Sequence, residues 1–364
     1  MVWLWLAAGL WAPLASVSES SFRVFLPDTK NQQLTSVNAS ESEGGIILEL
    51  GPALSLGFAA NEATAHPDGE HLIVGGSTKN GAVAATIELL ADGSLRKTAE
   101  SPVGEAGGYL NVDRTGRFFL STHYRSALVA THALDDNAVV GAAVTSTRTP
   151  NLEAHCIVTT PDNRFVYVPC VKTNNAIFQY AFDEETGELS ALEPFDAKPP
   201  AMFGPRHVVY HPRLPRAYFS NEQQLGVSVY EIADDGQLSA LQHATSVPRR
   251  SPYEKGKRDL SASSIVLSPD ATRLFVALRD FTGEEDSVFT FRVEEDGKLS
   301  LLSRSKVGDV PVRLLVSPTG SHLLISEMGD SRLSAYAVGE TGELTRAVSV
   351  VLPGSSRDMV LVAD

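Results

Sequence analysis

The sequence predicts an all-β protein: a seven-bladed β-propeller with four antiparallel strands per blade, its ring closed by strands from both chain ends. Three observations carry this. A Pro- or Gly-marked turn followed by an apolar strand recurs six times, a second Gly turn trails it at near-constant distance in five of the six, and the segments left over at the two ends both read as strands.

The turn copies are HPDGEHLIV (66–74), DRTGRFFLS (113–121), TPDNRFVYV (160–168), HPRLPRAYF (211–219), SPDATRLFV (268–276) and SPTGSHLLI (317–325). Taking Pro67, Arg114, Pro161, Pro212, Pro269 and Pro318 as equivalent points, the spacings are 47, 47, 51, 57 and 49 residues. The second marker is DGSL (92–95), TGEL (186–189), DGQL (235–238), DGKL (296–299) and TGEL (341–344). Each repeat reads as an apolar strand, a tight turn, a second strand, an alternating strand such as VSVYEI (227–232), a Gly turn and a fourth strand such as LSALQHA (238–244). At the ends, SSRDMVLVAD (355–364) aligns with GPRHVVYHP (204–212), while residues 22–37 resemble the second and third strands of a blade. A seventh blade built from both ends removes the open edges. Residues 21–364 therefore read as one domain of seven units.

Residues 1–18 carry no charge and run from an apolar stretch into small residues, the pattern of a signal peptide; they are too short and too broken by Pro13 for a membrane span. A secreted or periplasmic protein is expected if that segment is a signal, a cytoplasmic one otherwise. With 30 Lys+Arg against 44 Asp+Glu, the formal charge of −14 disfavours nucleic acid as a partner. A monomer is expected. The two cysteines, Cys156 and Cys170, flank the turn at 161–164 symmetrically, so they are expected to face each other and to form a disulfide in an exported protein. No cofactor is expected, since there is no phosphate loop, dinucleotide turn or nucleophile elbow.

The repeat supplies an internal coordinate. Six residues before the turn marker, at the entry to the innermost strand, stand Asn61, Gly108, His155, Arg206, Ser263 and Val312. Ten residues after it, past the second strand, stand Ser77, Tyr124, Val171, Glu222, Arg279 and Met328. Entry of one strand and exit of its antiparallel partner share one sheet edge, so His155, Arg206, Glu222 and Arg279 should converge at one mouth of the channel. Two guanidiniums suit an anion, and His155 and Glu222 suit proton exchange. The bland alternative is a salt bridge between Glu222 and Arg279 with a packed His155. No metal is expected, because two Arg oppose a cation there. His207 should point away from Arg206 into packing, and His66 and His211 read as turn residues.

These segments resemble the seven-bladed lactonase propellers, a family that includes bacterial 6-phosphogluconolactonase and the fungal 3-carboxy-cis,cis-muconate lactonizing enzyme. The resemblance rests on GPRHVVYHP (204–212), AHCIVTTPDNRFVYVP (154–169), YFSNEQQLGVSVYEI (218–232) and LSPDATRLFVALRD (267–280) and covers nearly everything from residue 21 onward. It implies a His, an Arg, a Glu and a second Arg as site residues at His155, Arg206, Glu222 and Arg279. Ser264 and Val312 depart from acidic and Arg residues found in relatives. The implied activity is hydrolysis of an anionic sugar-acid lactone, with muconate-type cyclisation as the alternative and a non-catalytic, partner-binding propeller as the alternative from another class.

Overall fold

The computed structural model describes residues 20–245, 260–282 and 284–363, so the leader expected at residues 1–18 lies outside the described residues. Seven sheets form, six of four strands and one of three, and the described helical structure is a single 3-10 turn at Lys172–Asn174. We number the blades from the first one that is continuous in sequence. Blade 1 comprises Ala59–Ala65, His71–Thr78, Gly81–Leu89 and Leu95–Pro102. Blades 2 to 6 repeat this order over 109–148, 154–196, 205–245, 260–306 and 311–351. In blade 3 the innermost position is held by two isolated bridges, Ala154 with Cys170 and Thr159 with Val166, rather than by a full strand.

Blade 7 closes the ring. Its innermost strand is Val360–Ala363, and Ser20–Asp28, Gln33–Ser42 and Gly45–Ser55 follow outward, so the N-terminal segment supplies the fourth strand as well as the second and third. Phe22 pairs with Ala363 and Phe25 with Val360. Closure covers the inner edge of Ser20–Asp28 with Val360–Ala363.

The core is not one cluster but seven, each sandwiched between adjacent blades. Phe25, Leu34 and Val362 of blade 7 meet Phe58, Leu72 and Ile87 of blade 1, and Tyr218 and Val227 of blade 4 meet Leu274 and Phe289 of blade 5. In blades 3 to 6 the second Gly turn packs against the blade before it. Gly187 and Gly236 have φ of 78° and 86°, and a Cβ there would lie 2.4 Å and 2.3 Å from the rings of Phe118 and Phe165. Only glycine meets both demands.

A register slip in the innermost strands sets the chemistry. In blade 1 Ala60 pairs with Gly76 and then Glu62 with Gly75. In blade 4 Pro205 pairs with Asn221 and then Val208 with Phe219, in blade 5 Ala262 with Leu278 and then Ile265 with Val276, and in blade 6 Pro311 with Glu327 and then Arg313 with Ser326. The two bridges of blade 3 show the same offset. Each is a β-bulge of one extra residue, which breaks the in-out alternation and re-aims the side chains beside it.

The bulge overturns the expected disulfide. Cys156 and Cys170 are both free thiols. With regular alternation they would share a face; with the extra residue Cys156 packs beside Tyr167, Val208 and Phe219 between blades 3 and 4. Cys170 packs with Ala154, Val168 and Ala176 between blades 2 and 3.

Candidate active site

The two sets of equivalent positions meet at one mouth of the channel, around a cavity of about 1110 Å³. His155, Arg206, Glu222 and Arg279 all line it, together with Asn61, Gly108 and Val312 from the strand entries and Ser77, Tyr124 and Met328 from the strand exits. Blade 7 contributes Arg357, the counterpart of Arg206 when residues 355–364 are laid over 204–212.

Glu222 follows the strand Arg216–Asn221 and is held by its backbone, its N–H donating to Gly204 O at 2.7 Å while its carbonyl accepts from Ala262 N at 3.1 Å. Its side chain is 8% exposed. Oε2 lies 3.0 Å from Arg206 Nε and 3.5 Å from Arg279 Nη2, and Oε1 accepts from Gln223 Nε2 at 3.0 Å. The carboxylate thus separates two guanidiniums from neighbouring blades, and its oxygens are engaged by donors rather than offered to a metal. The expected Glu222–Arg279 ion pair is therefore real, but it sits inside the cavity.

His155 is half-buried, with Nδ1 buried and lacking a hydrogen-bond partner. Its ring stands 5.6 Å from that of Tyr124 and 5.2 Å from that of His207, edge to face. Burial, reinforced by the charges of Arg206 and Arg279, holds its pKa well below 6.5. A neutral imidazole at the cavity wall can take a proton from water.

His207 does not point away from Arg206 as alternation predicts. The bulge turns it inward, and Arg206 Nη1 donates to its Nε2 at 2.9 Å. Because that nitrogen accepts, the ring is neutral, in keeping with a pKa held well below 6.5 by burial and then by Arg206. Below it, the Tyr109 ring lies 5.2 Å from the His207 ring and carries the Arg313 guanidinium 5.2 Å over its face. Arg313 Nε pairs with Asp358 Oδ1 at 2.9 Å, and Asp358 Oδ2 accepts from Ala63 N at 3.0 Å. His207, Tyr109, Arg313 and Asp358 do not line the cavity; they pack behind the residues that do. Glu62, next to Ala63, reaches the cavity wall, and its carboxyl is pushed well above the usual range by burial and then by the negative charge of Asp358. Sequence reasoning missed Glu62, Tyr109, Arg313 and Asp358. They occupy the position after each strand entry, which a regular strand would turn into a blade interface; the polar character of that position in Glu62, His207, Arg313 and Asp358 was the available signal.

A family model described as "Lactonase, 7-bladed beta-propeller" matches residues 58–360. The 6-phosphogluconolactonase of Cronobacter sakazakii is 29% identical over 282 residues, 76% of this chain and 80% of that protein. Its namesake from Yersinia pestis is 28% identical over 284 residues, 77% of this chain and 80% of its own length. Among solved structures, the periplasmic gluconolactonase PpgL of Pseudomonas aeruginosa superposes with a TM-score of 0.82 over 94% of this chain and 99% of its own, at 20% identity. At that identity the likeness is one of fold.

Proposed function

Because the chain belongs to the lactonase family of seven-bladed β-propellers, we propose that this cavity hydrolyses the lactone of an anionic sugar acid, with 6-phosphogluconolactone as the leading substrate. The observation that carries the reading is the convergence of a neutral His155 with the Arg206–Glu222–Arg279 cluster on one cavity wall. His155 takes a proton from water as the water adds to the lactone carbonyl, and the guanidiniums stabilise the oxyanion. On collapse the bond to the ring oxygen breaks, and the proton held by His155 passes to that oxygen, leaving a hydroxyl and a carboxylic acid that releases its proton to solvent. Glu222 keeps Arg206 and Arg279 apart and aimed. The exposed Arg125 and Arg357, with Lys172, supply positive charge at the rim for the substrate's anionic group.

A second substrate is favoured by the leader-like residues 1–18 and by the name of the periplasmic fold neighbour. An exported enzyme would meet an unphosphorylated aldonolactone. The muconate-cyclising and non-catalytic readings draw no support from these relatives. Turnover of 6-phosphogluconolactone and of gluconolactone, measured at neutral pH with spontaneous opening subtracted, tests the proposal. Acceleration of neither lactone overturns it, and the ratio of the two kcat/KM values assigns the substrate.

A further inference from the structure

The marker turns lie at the ends of the innermost hairpins remote from the cavity. In most blades the first residue of the turn is occupied by the turn itself. Asp113, Thr160, Ser268 and Ser317 accept the backbone N–H five residues on, at 2.8, 3.1, 2.9 and 3.1 Å. His211 accepts from the N–H groups of Arg213 and Leu214 through Nδ1, at 3.1 and 2.9 Å.

Blade 1 departs from this. Asp68 takes over the turn, its Oδ1 accepting from Glu70 N at 2.7 Å and from His71 N at 3.1 Å. Its Oδ2 is left facing two imidazoles, 2.7 Å from His71 Nδ1 and 2.9 Å from His66 Nδ1. His66 Nε2 lies 2.8 Å from the Gly116 carbonyl of the next blade, a contact that requires the N–H on Nε2. The Nδ1 lone pair of a neutral His66 then faces a carboxylate oxygen, with only a long 3.3 Å contact from Asp68 N for relief. Two lone pairs at that separation call for a cation between them, a proton or a metal.

We infer that His66, Asp68 and His71 form a binding site for a divalent transition-metal ion of the zinc or nickel kind, on the face of the propeller opposite the cavity. All three donor atoms lie within 4.8 Å of one another, and no other group of three or more His, Cys, Asp or Glu among the described residues does so. Two tetrahedral ligands on bonds of ~2.1 Å are ~3.4 Å apart, so the donors at 2.7 and 2.9 Å need separate by only about 0.5–0.7 Å to admit the ion. Two imidazole nitrogens with one carboxylate select zinc, nickel or copper over calcium or magnesium. The outer contacts are those of a metal site: a carbonyl fixes the His66 tautomer, and backbone N–H groups fix Asp68. The His66 and Asp68 side chains are 15% and 33% accessible, so water can complete the coordination shell. A metal on His66 Nδ1 also strengthens the Nε2–H bond to Gly116 and ties blade 1 to blade 2.

The test is calorimetric titration of ZnCl₂ into the full chain, free of any histidine tag and stripped with chelator, at pH 7.5. One saturable equivalent is expected. Asp68→Asn and His71→Gln, both near-isosteric, should each weaken binding by about tenfold or more. At a zinc concentration a hundred times the parent's Kd the parent should melt roughly 2–4 °C higher, and both variants should shift by about half as much or less. Lactone turnover of the two variants should equal the parent's, since the site lies away from the cavity. Absence of binding to a correctly melting parent, or undiminished binding in both variants, overturns the assignment.

Discussion

Replacing Glu222 by Gln separates a positioning role from a proton-transfer role. The carboxylate lies 3.0 Å from Arg206 and 3.5 Å from Arg279 and is 8% exposed. Its removal leaves two guanidiniums facing each other across a nearly dry gap. Breaking a buried pair by removing one partner costs about 3–5 kcal/mol. With a melting entropy of about 2.1 cal/mol/K per residue, that is a fall of roughly 4–7 °C in the thermal midpoint of a 364-residue chain. The repelling guanidiniums no longer present a paired face to the substrate, so KM for an anionic lactone should rise about tenfold or more, while kcat falls less than about tenfold. In parallel, His155→Asn should lower kcat by about 10²-fold or more and leave the thermal midpoint within ~2 °C. Scanning calorimetry and steady-state lactonase assays on the same two proteins decide the matter. A Glu222→Gln protein that melts with the parent and loses a hundredfold in kcat at unchanged KM would refute the reasoning and make Glu222 the base.

Other outcomes follow from the same geometry. His155 and His207 are held well below 6.5 by burial and then by Arg206, so the unfolded chain binds protons near and below pH 6.5 that the folded one refuses. Stability is therefore full above that pH and lost as pH falls through it; thermal melts at pH 7.5, 6.5 and 5.5 should show the decline, and His207→Gln should reduce it. Burial pushes the thiols of Cys156 and Cys170 up to about 11 and about 12, so a thiol reagent should find neither in the native protein and both after denaturation, with no mass change on prior reduction. Deleting Val360–Ala363 uncovers the edge of Ser20–Asp28 and removes Val362 from its cluster; lost packing and ladder bonds of about 6 kcal/mol correspond to a fall of about 8 °C in melting.

The propeller was legible because its signals are local and repeated. A turn that needs glycine at positive φ, such as Gly187 or Gly236, marks itself in every copy, and the spacing of copies measures the blade. His155, Arg206, Glu222 and Arg279 were legible for a related reason, since a polar side chain at a repeat position that is Gly, Ser or Val in other blades stands out without any knowledge of contacts. The inward turn of His207 was not, and neither was the separation of Cys156 from Cys170. Both depend on one extra residue in an innermost strand, and a bulge has no composition of its own. Pro205-Arg206-His207-Val208 reads equally well as a regular strand, and only the pairing of Val208 with Phe219 after Pro205 with Asn221 reveals the slip. The leader expected at residues 1–18 and the choice of phosphorylated or unphosphorylated lactone rest on features that the propeller geometry does not touch.

The same extra residue accounts for how a chain of net charge −14 presents an anion site. In blades 1, 4 and 6 the bulge turns Glu62, His207 and Arg313 out of the regular alternation, beside the polar side chains at the strand entries. Glu222 is held between Arg206 and Arg279, Asp358 pairs with Arg313, and burial and then Asp358 raise the Glu62 carboxyl well above the usual range. Arg125, Lys172, Arg206, Arg279 and Arg357 line the cavity against Glu62, Glu105 and Glu222, so basic side chains outnumber acidic ones at the channel mouth of an acidic chain. At physiological ionic strength the surface charge is screened beyond about 8 Å. An anionic lactone is therefore not drawn in by the protein as a whole; it is held by contact, within reach of guanidiniums whose positions are fixed by Glu222, and that places the discrimination between anionic and neutral lactones on the Arg206–Glu222–Arg279 cluster and the rim rather than on long-range steering.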